Sequence, residues 1–137
     1  MGPSSLWLLL LLSPRDTRIT VTPVPQTWEE AFDYCKENHR GLLFMRGKVE
    51  QTEVETLLNV TGVTGRFWIG LRQSRLMGFW FWTTIDKVVH YHNWKDNRPP
   101  ELPLSHHCGA IEAGGKWRDL NCKMKLPALC IEDMYPT

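Results

Sequence analysis

Five histidines and four cysteines are the residues best able to do chemistry in this 137-residue chain. Four of the histidines fall in close pairs, His90 with His92 and His106 with His107. Imidazole is a common zinc ligand, and zinc takes four ligands in a tetrahedron, with one place left open where it is catalytic. His90 and His92 could face one way from a strand, but no carboxylate-bearing pattern such as H-E-x-x-H accompanies them, so neither a zinc enzyme nor structural zinc is expected. Serine-histidine-aspartate chemistry is equally unsupported, because no nucleophile elbow is present. Cys35, Cys108, Cys122 and Cys130 are even in number and contain no C-x-x-C pair, which favours disulfides over metal ligation. The count alone leaves three connectivities open. Asn59-Val60-Thr61 is the single N-glycosylation sequon, and its use would place residue 59 on the surface of a secreted chain.

The elements that must position these residues are readable from local pattern. Leu6-Trp7-Leu8-Leu9-Leu10-Leu11-Leu12 is far shorter than the ~20 residues a membrane span needs, and fits the apolar region of a secretory leader. Residues 1–17 therefore read as a signal peptide or truncated leader, 18–132 as one domain and 133–137 as a tail. No other run is apolar enough to cross a bilayer, so a soluble, secreted, extracellular product is expected. Arg18-Ile19-Thr20-Val21-Thr22 reads as a strand ended by Pro23 and Pro25. Thr27 with Glu30 forms a capping box, and Trp28, Ala31, Phe32 and Cys35 follow at helical spacing, with Gly41 as the expected stop. A second helix is expected from about Val49 to Asn59, carrying Val54, Leu57 and Leu58 inward and ended by Gly62.

Strands then take over at Phe67-Trp68-Ile69-Gly70-Leu71 and Phe79-Trp80-Phe81-Trp82-Thr83, the second aromatic on both faces, which predicts that both faces are covered. Residues 93–107, with Pro99, Pro100 and Pro103, read as a long irregular loop, and such loops are usually functional. Cys108–Ile111, Lys116–Arg118 and Ala128–Ile131 are late strands. Helices first and strands after make an α+β domain. A net charge of +1 offers no electrostatic footprint for nucleic acid, and Lys116, Arg118, Lys123 and Lys125 read as solvated surface.

Taken in order, these motifs resemble a known family. Thr27-Trp28-Glu29-Glu30-Ala31 before Cys35, then Trp68-Ile69-Gly70-Leu71, Trp80-Phe81-Trp82-Thr83, Tyr91-His92-Asn93-Trp94, Trp117-Arg118-Asp119-Leu120-Asn121-Cys122 and Leu129-Cys130-Ile131-Glu132 are similar to a short-form C-type lectin-like domain. The resemblance covers residues 18–132. It implies two helices flanking small antiparallel sheets with a long irregular loop. It also implies disulfides Cys35–Cys130 and Cys108–Cys122, and a core role for Trp68, Leu71, Trp80 and Trp82.

Many members of that family hold sugar through calcium, which takes 6–8 hard oxygen ligands. The family pattern supplies them from Glu-Pro-Asn in the long loop, a Glu two residues before the third cysteine, and Asn-Asp after a Trp. Here Arg98-Pro99-Pro100 stands at the first place, His106 at the second and Arg118 at the third, leaving only Asp119. The ten-residue distance from Arg98 to Cys108 matches the pattern, so the alignment involves no gap. Two fixed cations would repel a divalent ion. Calcium is therefore not expected as a cofactor, and Arg98-Pro99 is where the family's cis peptide would fall.

The resemblance then implies a cluster of Arg98, Glu101, His106, His107, Arg118 and Asp119, with Asp119 paired to Arg98 or Arg118 or its neighbours meeting an acidic ligand. The two histidines would strengthen such binding below about pH 6.5. The leading expectation is a non-enzymatic module that recognises a glycan or protein without calcium. Calcium-dependent sugar binding through a site rebuilt from Asp96 and Glu101 is the second reading, and a non-functional relic the third. Oligomeric state is not legible.

Overall fold

The computed structural model describes residues 17–133; all but the last residue of the leader reading and all but the first residue of the tail fall outside them. The chain opens with strand β1 (Thr17–Val21) and helix α1 (Trp28–Asn38). The capping box forms as the pattern predicts: the Thr27 hydroxyl accepts from the Glu30 N–H at 3.2 Å, and the Glu30 carboxylate accepts from the Thr27 N–H at 3.0 Å. Trp28, Ala31 and Cys35 are buried on one face. The expected stop at Gly41 is not what ends the helix. His39 caps it in an extended conformation, and Gly41 already belongs to the next strand, β2 (Gly41–Leu42), where a side chain would strike Thr84. Helix α2 (Lys48–Thr61) buries Val54, Leu57 and Leu58, and Gly62 ends it in the left-handed region at φ 69°.

Six further strands follow. They are β3 (Arg66–Gln73), β4 (Trp80–Trp82), β5 (Lys87–Val88), β6 (His107–Glu112), β7 (Trp117–Asn121) and β8 (Leu129–Asp133). All ladders are antiparallel. One sheet has the order β1-β8-β2, the other β5-β4-β3-β6-β7. The α+β architecture expected from the sequence is thus the one found, with residues 89–106 free of regular strands between β5 and β6.

β3, at the centre of the larger sheet, is buried on both faces, which explains its near-continuous apolar run. On one face Phe67, Ile69 and Leu71 join Trp80, Trp82, Ile111 and Trp117 and the apolar stripe of α2. On the other, Trp68 joins Ala110, Leu120, Leu42 and the buried face of α1. Trp68, Leu71, Trp80 and Trp82 are core residues, as the resemblance implied. Several of the buried indoles find acceptors, Trp28 donating to the Ile69 carbonyl at 3.0 Å and Trp68 to the Gln26 carbonyl at 2.9 Å, whereas the buried indole nitrogen of Trp94 has no partner among the described residues.

Both implied disulfides are present, Cys35–Cys130 joining α1 to β8 and Cys108–Cys122 joining β6 to the segment after β7. Their sequence separations are 95 and 14 residues. Constraining the unfolded chain over those loops is worth about 4.7 and about 3 kcal/mol. Chemical denaturation of Cys35→Ala/Cys130→Ala is therefore expected to show the larger loss of unfolding free energy, and Cys108→Ala/Cys122→Ala the smaller. The reverse order would mean that native packing, not chain entropy, sets the contribution of each bridge.

Candidate functional site

The long loop is anchored at the end of the sheet where β3 stops and β6 begins. Gln73, at the last position of β3, is 2% exposed and bonded on all its polar atoms. Its amide nitrogen donates to the carbonyls of Gly78 (2.9 Å) and Pro100 (3.1 Å), and the Trp80 indole donates to the same Pro100 carbonyl at 3.0 Å. Two buried side chains of the sheet thus clamp one carbonyl in the loop. The amide oxygen of Gln73 can only accept, so the His107 ring, whose Nδ1 lies 3.1 Å away, donates from Nδ1 and is neutral or fully protonated in that pose.

His107 stands at φ +69°, a left-handed conformation uncommon outside glycine, with histidine among the residues that tolerate it. Its pKa is pushed below 6.5, chiefly by burial and then by the positive charges of Arg75, Arg72 and His106, against a smaller pull from Asp119. The neutral, Nδ1-protonated ring follows.

Asp119 lies on β7 opposite Gly109. Its carboxylate accepts the backbone N–H of His106 at 2.8 Å, and the His106 Nδ1 is 3.6 Å away. This corrects the expected pairing with Arg98 or Arg118. The reason is strand geometry: neighbouring residues of a strand point to opposite faces. Arg118 accordingly lies on the other face from Asp119, where its guanidinium donates to Glu112 at 3.1 Å, a carboxylate that also accepts from Arg66 at 3.2 Å. The predicted cluster therefore divides. His106, His107 and Asp119 come together at one end of the sheet. Arg118 belongs to a separate Arg66–Glu112–Arg118 group. Arg98 and Glu101 sit exposed on the loop, and their side chains enter no hydrogen bond or ion pair among the described residues.

A family model, the lectin C-type domain, matches residues 24–132 of this chain. The chain belongs to the C-type lectin domain family. Its sequence is 33% identical over 106 residues to human (Homo sapiens) C-type mannose receptor 2, covering 76% of this chain and 7% of that receptor. It is 33% identical over 117 residues to regenerating islet-derived protein 3-beta of Mus musculus, covering 78% of this chain and 66% of that protein. The chain thus spans only a small part of the mannose receptor it matches. Among solved structures, a mouse scavenger receptor C-type lectin carbohydrate-recognition domain superposes with a TM-score of 0.73 at 23% identity, covering 89% of this chain and 92% of that one. Human lithostathine gives 0.74 at 22% identity over 87% and 93%. A calcium-independent type II antifreeze protein gives 0.70 at 24% identity over 86% and 87%. At these identities the structural matches speak to the fold alone.

Within this C-type lectin domain the cis peptide is Leu102–Pro103, four residues beyond the expected Arg98–Pro99. Among the described residues, no three His, Cys, Asp or Glu side chains converge as metal ligands would; His90 is exposed and His92 half-buried. Asn59 is exposed in the last turn of α2. What the sequence reading missed is Gln73. A buried glutamine closing an apolar strand was a legible signal, because such a residue needs partners.

The depressed pKa of His107 carries a stability consequence. The folded state disfavours the imidazolium, so the unfolded chain binds more protons as pH falls past 6.5. Stability is full above pH 6.5 and is lost as pH falls through the folded-state value below it. In His107→Asn, which tolerates the left-handed backbone, this part of the pH dependence is expected to vanish. Melting temperatures of both proteins between about pH 7.5 and 5 test it: parallel curves would show that His107 carries no such linkage.

Proposed function

We propose that this domain is a non-enzymatic extracellular recognition module that binds an anionic glycan or protein group without calcium, through the exposed face of the long loop. The observation that carries the reading is the state of Asp119. It is the one carboxylate left at the family's calcium positions, and it is already engaged by the backbone N–H of His106, with the His106 ring 3.6 Å away. The other positions hold Arg98, Pro100, His106 and Arg118, none of which offers a side-chain oxygen. Calcium needs 6–8 oxygen ligands, so the donor set does not fit the ion. Two disulfides and a two-sided core also contribute stability that needs no ion. The disulfides also support an oxidising, extracellular setting. The antifreeze relative of this fold is itself described as calcium-independent.

An exposed guanidinium without an internal partner is suited to bidentate capture of a carboxylate, sulfate or phosphate. Arg98 is that group here, with His106 beside the Asp119 end of the loop. His107 is withdrawn from this role by its bond to Gln73.

Thermal melting in calcium chloride and then in chelator is expected to give the same midpoint. A glycan array that includes sialylated and sulfated sugars, read with and without chelator, is expected to show the same ligands in both arms. Arg98→Glu is expected to weaken that binding about tenfold or more, as loss of a charge-assisted pair does. A clear calcium-dependent rise in melting temperature would overturn the reading and favour a site rebuilt around Asp96 and Glu101.

A further inference from the structure

The aromatic run 79–83 predicted a strand covered on both faces, and the structure covers only one. Trp80 and Trp82 are in the core, whereas Phe79 is 43% exposed and Phe81 half-buried. Their rings meet edge to face at 6.2 Å and form one wall of an open cleft of about 530 Å³. Arg72, Arg75, Lys87 and Val88 complete the walls. None of these residues occupies a position of the family's calcium pattern.

The charges in this cleft are unbalanced. Arg72, Arg75 and Lys87 face a single lining carboxylate, Asp86. The Arg72 guanidinium lies over the Trp28 ring at 4.9 Å and beside the Cys108–Cys122 bridge, with Nη1 3.1 Å from the Cys108 sulfur. Its nearest carboxylate, on the largely exposed Glu29, is 3.9 Å away, beyond hydrogen-bond reach. Burial lowers its pKa, Glu29 partly restores it, and Arg75 lowers it again. A partly desolvated cation with a second cation as neighbour is a favourable place for an incoming anion.

The cleft also ends on an open sheet edge. β5 is the outer strand of the five-stranded sheet. Val89 donates to the Trp80 carbonyl at 2.9 Å, so the alternation of an antiparallel ladder turns the N–H and C=O of Val88 outward. Val88 itself is 45% exposed.

We propose that this cleft is a second binding site, and that its occupant is an extended acidic segment of a partner protein. Its carboxylates would meet Arg75, Lys87 and Arg72. An apolar or aromatic side chain would lie against Phe79 and Phe81, and its backbone would pair with Val88 at the sheet edge. Strand addition supplies affinity through the main chain and specificity through alternate side chains. An anionic sugar would satisfy the cations but would not use the outward peptide groups of Val88, and so the peptide is favoured.

The test is fluorescence anisotropy with a fluorescein-labelled peptide alternating glutamate with tyrosine, beside a peptide alternating lysine with tyrosine and a labelled heparin hexasaccharide. The acidic peptide is expected to bind saturably and the basic one not to bind. Arg75→Glu/Lys87→Glu is expected to weaken the acidic peptide about tenfold or more, and Phe79→Ser several-fold. All three positions are exposed, and an unchanged near-ultraviolet signal from the buried tryptophans confirms folding. Arg98→Glu is expected to leave this peptide's affinity unchanged, which separates the cleft from the long-loop site. Equal affinity of the wild type and the double variant for the acidic peptide overturns the proposal. So does hexasaccharide binding that the double variant loses while the peptide fails to bind, which would make the cleft a glycan site.

Discussion

Trp117 is wholly buried, and its bonds run in every direction. Its indole N–H donates to the side-chain oxygen of Gln51 at 2.9 Å, which ties helix α2 to the larger sheet. Its backbone N–H donates to the Asn93 carbonyl and its carbonyl accepts from Lys95, at 2.9 and 2.8 Å, which ties the start of the long loop to β7. Its ring packs edge-on against Trp82, Tyr91 and Trp94. The other end of Gln51 donates to the Gly115 carbonyl, which also accepts from Asn93. Helix, sheet and loop are therefore held by one polar network inside an aromatic core. A network of this kind is favourable only when every member is satisfied, and a slip of β7 by one residue would expel Trp117 and orphan Gln51 together.

That constraint explains how much could be read from sequence. Capping at Thr27 and Glu30, the stop at Gly62 and the apolar stripes of both helices are local features, and each was legible because local bonding decides it. The Trp-rich strands were legible as core because large apolar area has few other destinations. The failures are all places where a tertiary partner decides. Gly41 looks like a helix terminator by itself, but it is glycine because Thr84 packs against it across the fold. Phe79 and Phe81 look like core by composition, but the element that covers one sheet face does not extend over them.

The site was half legible for the same reason. Residue identities at the family's calcium positions could be read directly, and they indicate what the loop lacks. Their mutual geometry could not, because adjacent residues in a strand point apart. Arg118 and Asp119 are neighbours in sequence, yet one pairs with Glu112 and the other with His106 across the thickness of the sheet. Gln73 stood out only as a polar residue closing an apolar strand, and its role as a site residue appears once Pro100 and His107 converge on it.

The long loop is consequently held at three points. Trp117 and Gly115 hold its start through Asn93 and Lys95. Gln73 and Trp80 hold the Pro100 carbonyl. Asp119 and Gln73 then hold His106 and His107 at its end. Arg98 falls between the first two anchors and Glu101 just beyond the second, each exposed and its side chain without a hydrogen bond or ion pair among the described residues. A side chain displayed from backbone that is fixed on either side loses less entropy on meeting a ligand than one on a mobile loop. The same Gln73 that fixes the loop also ends β3 at the mouth of the Arg72 cleft. The two cationic surfaces therefore share one buried hinge-pin, and the positive charges of Arg72 and Arg75 are felt by His107 across it.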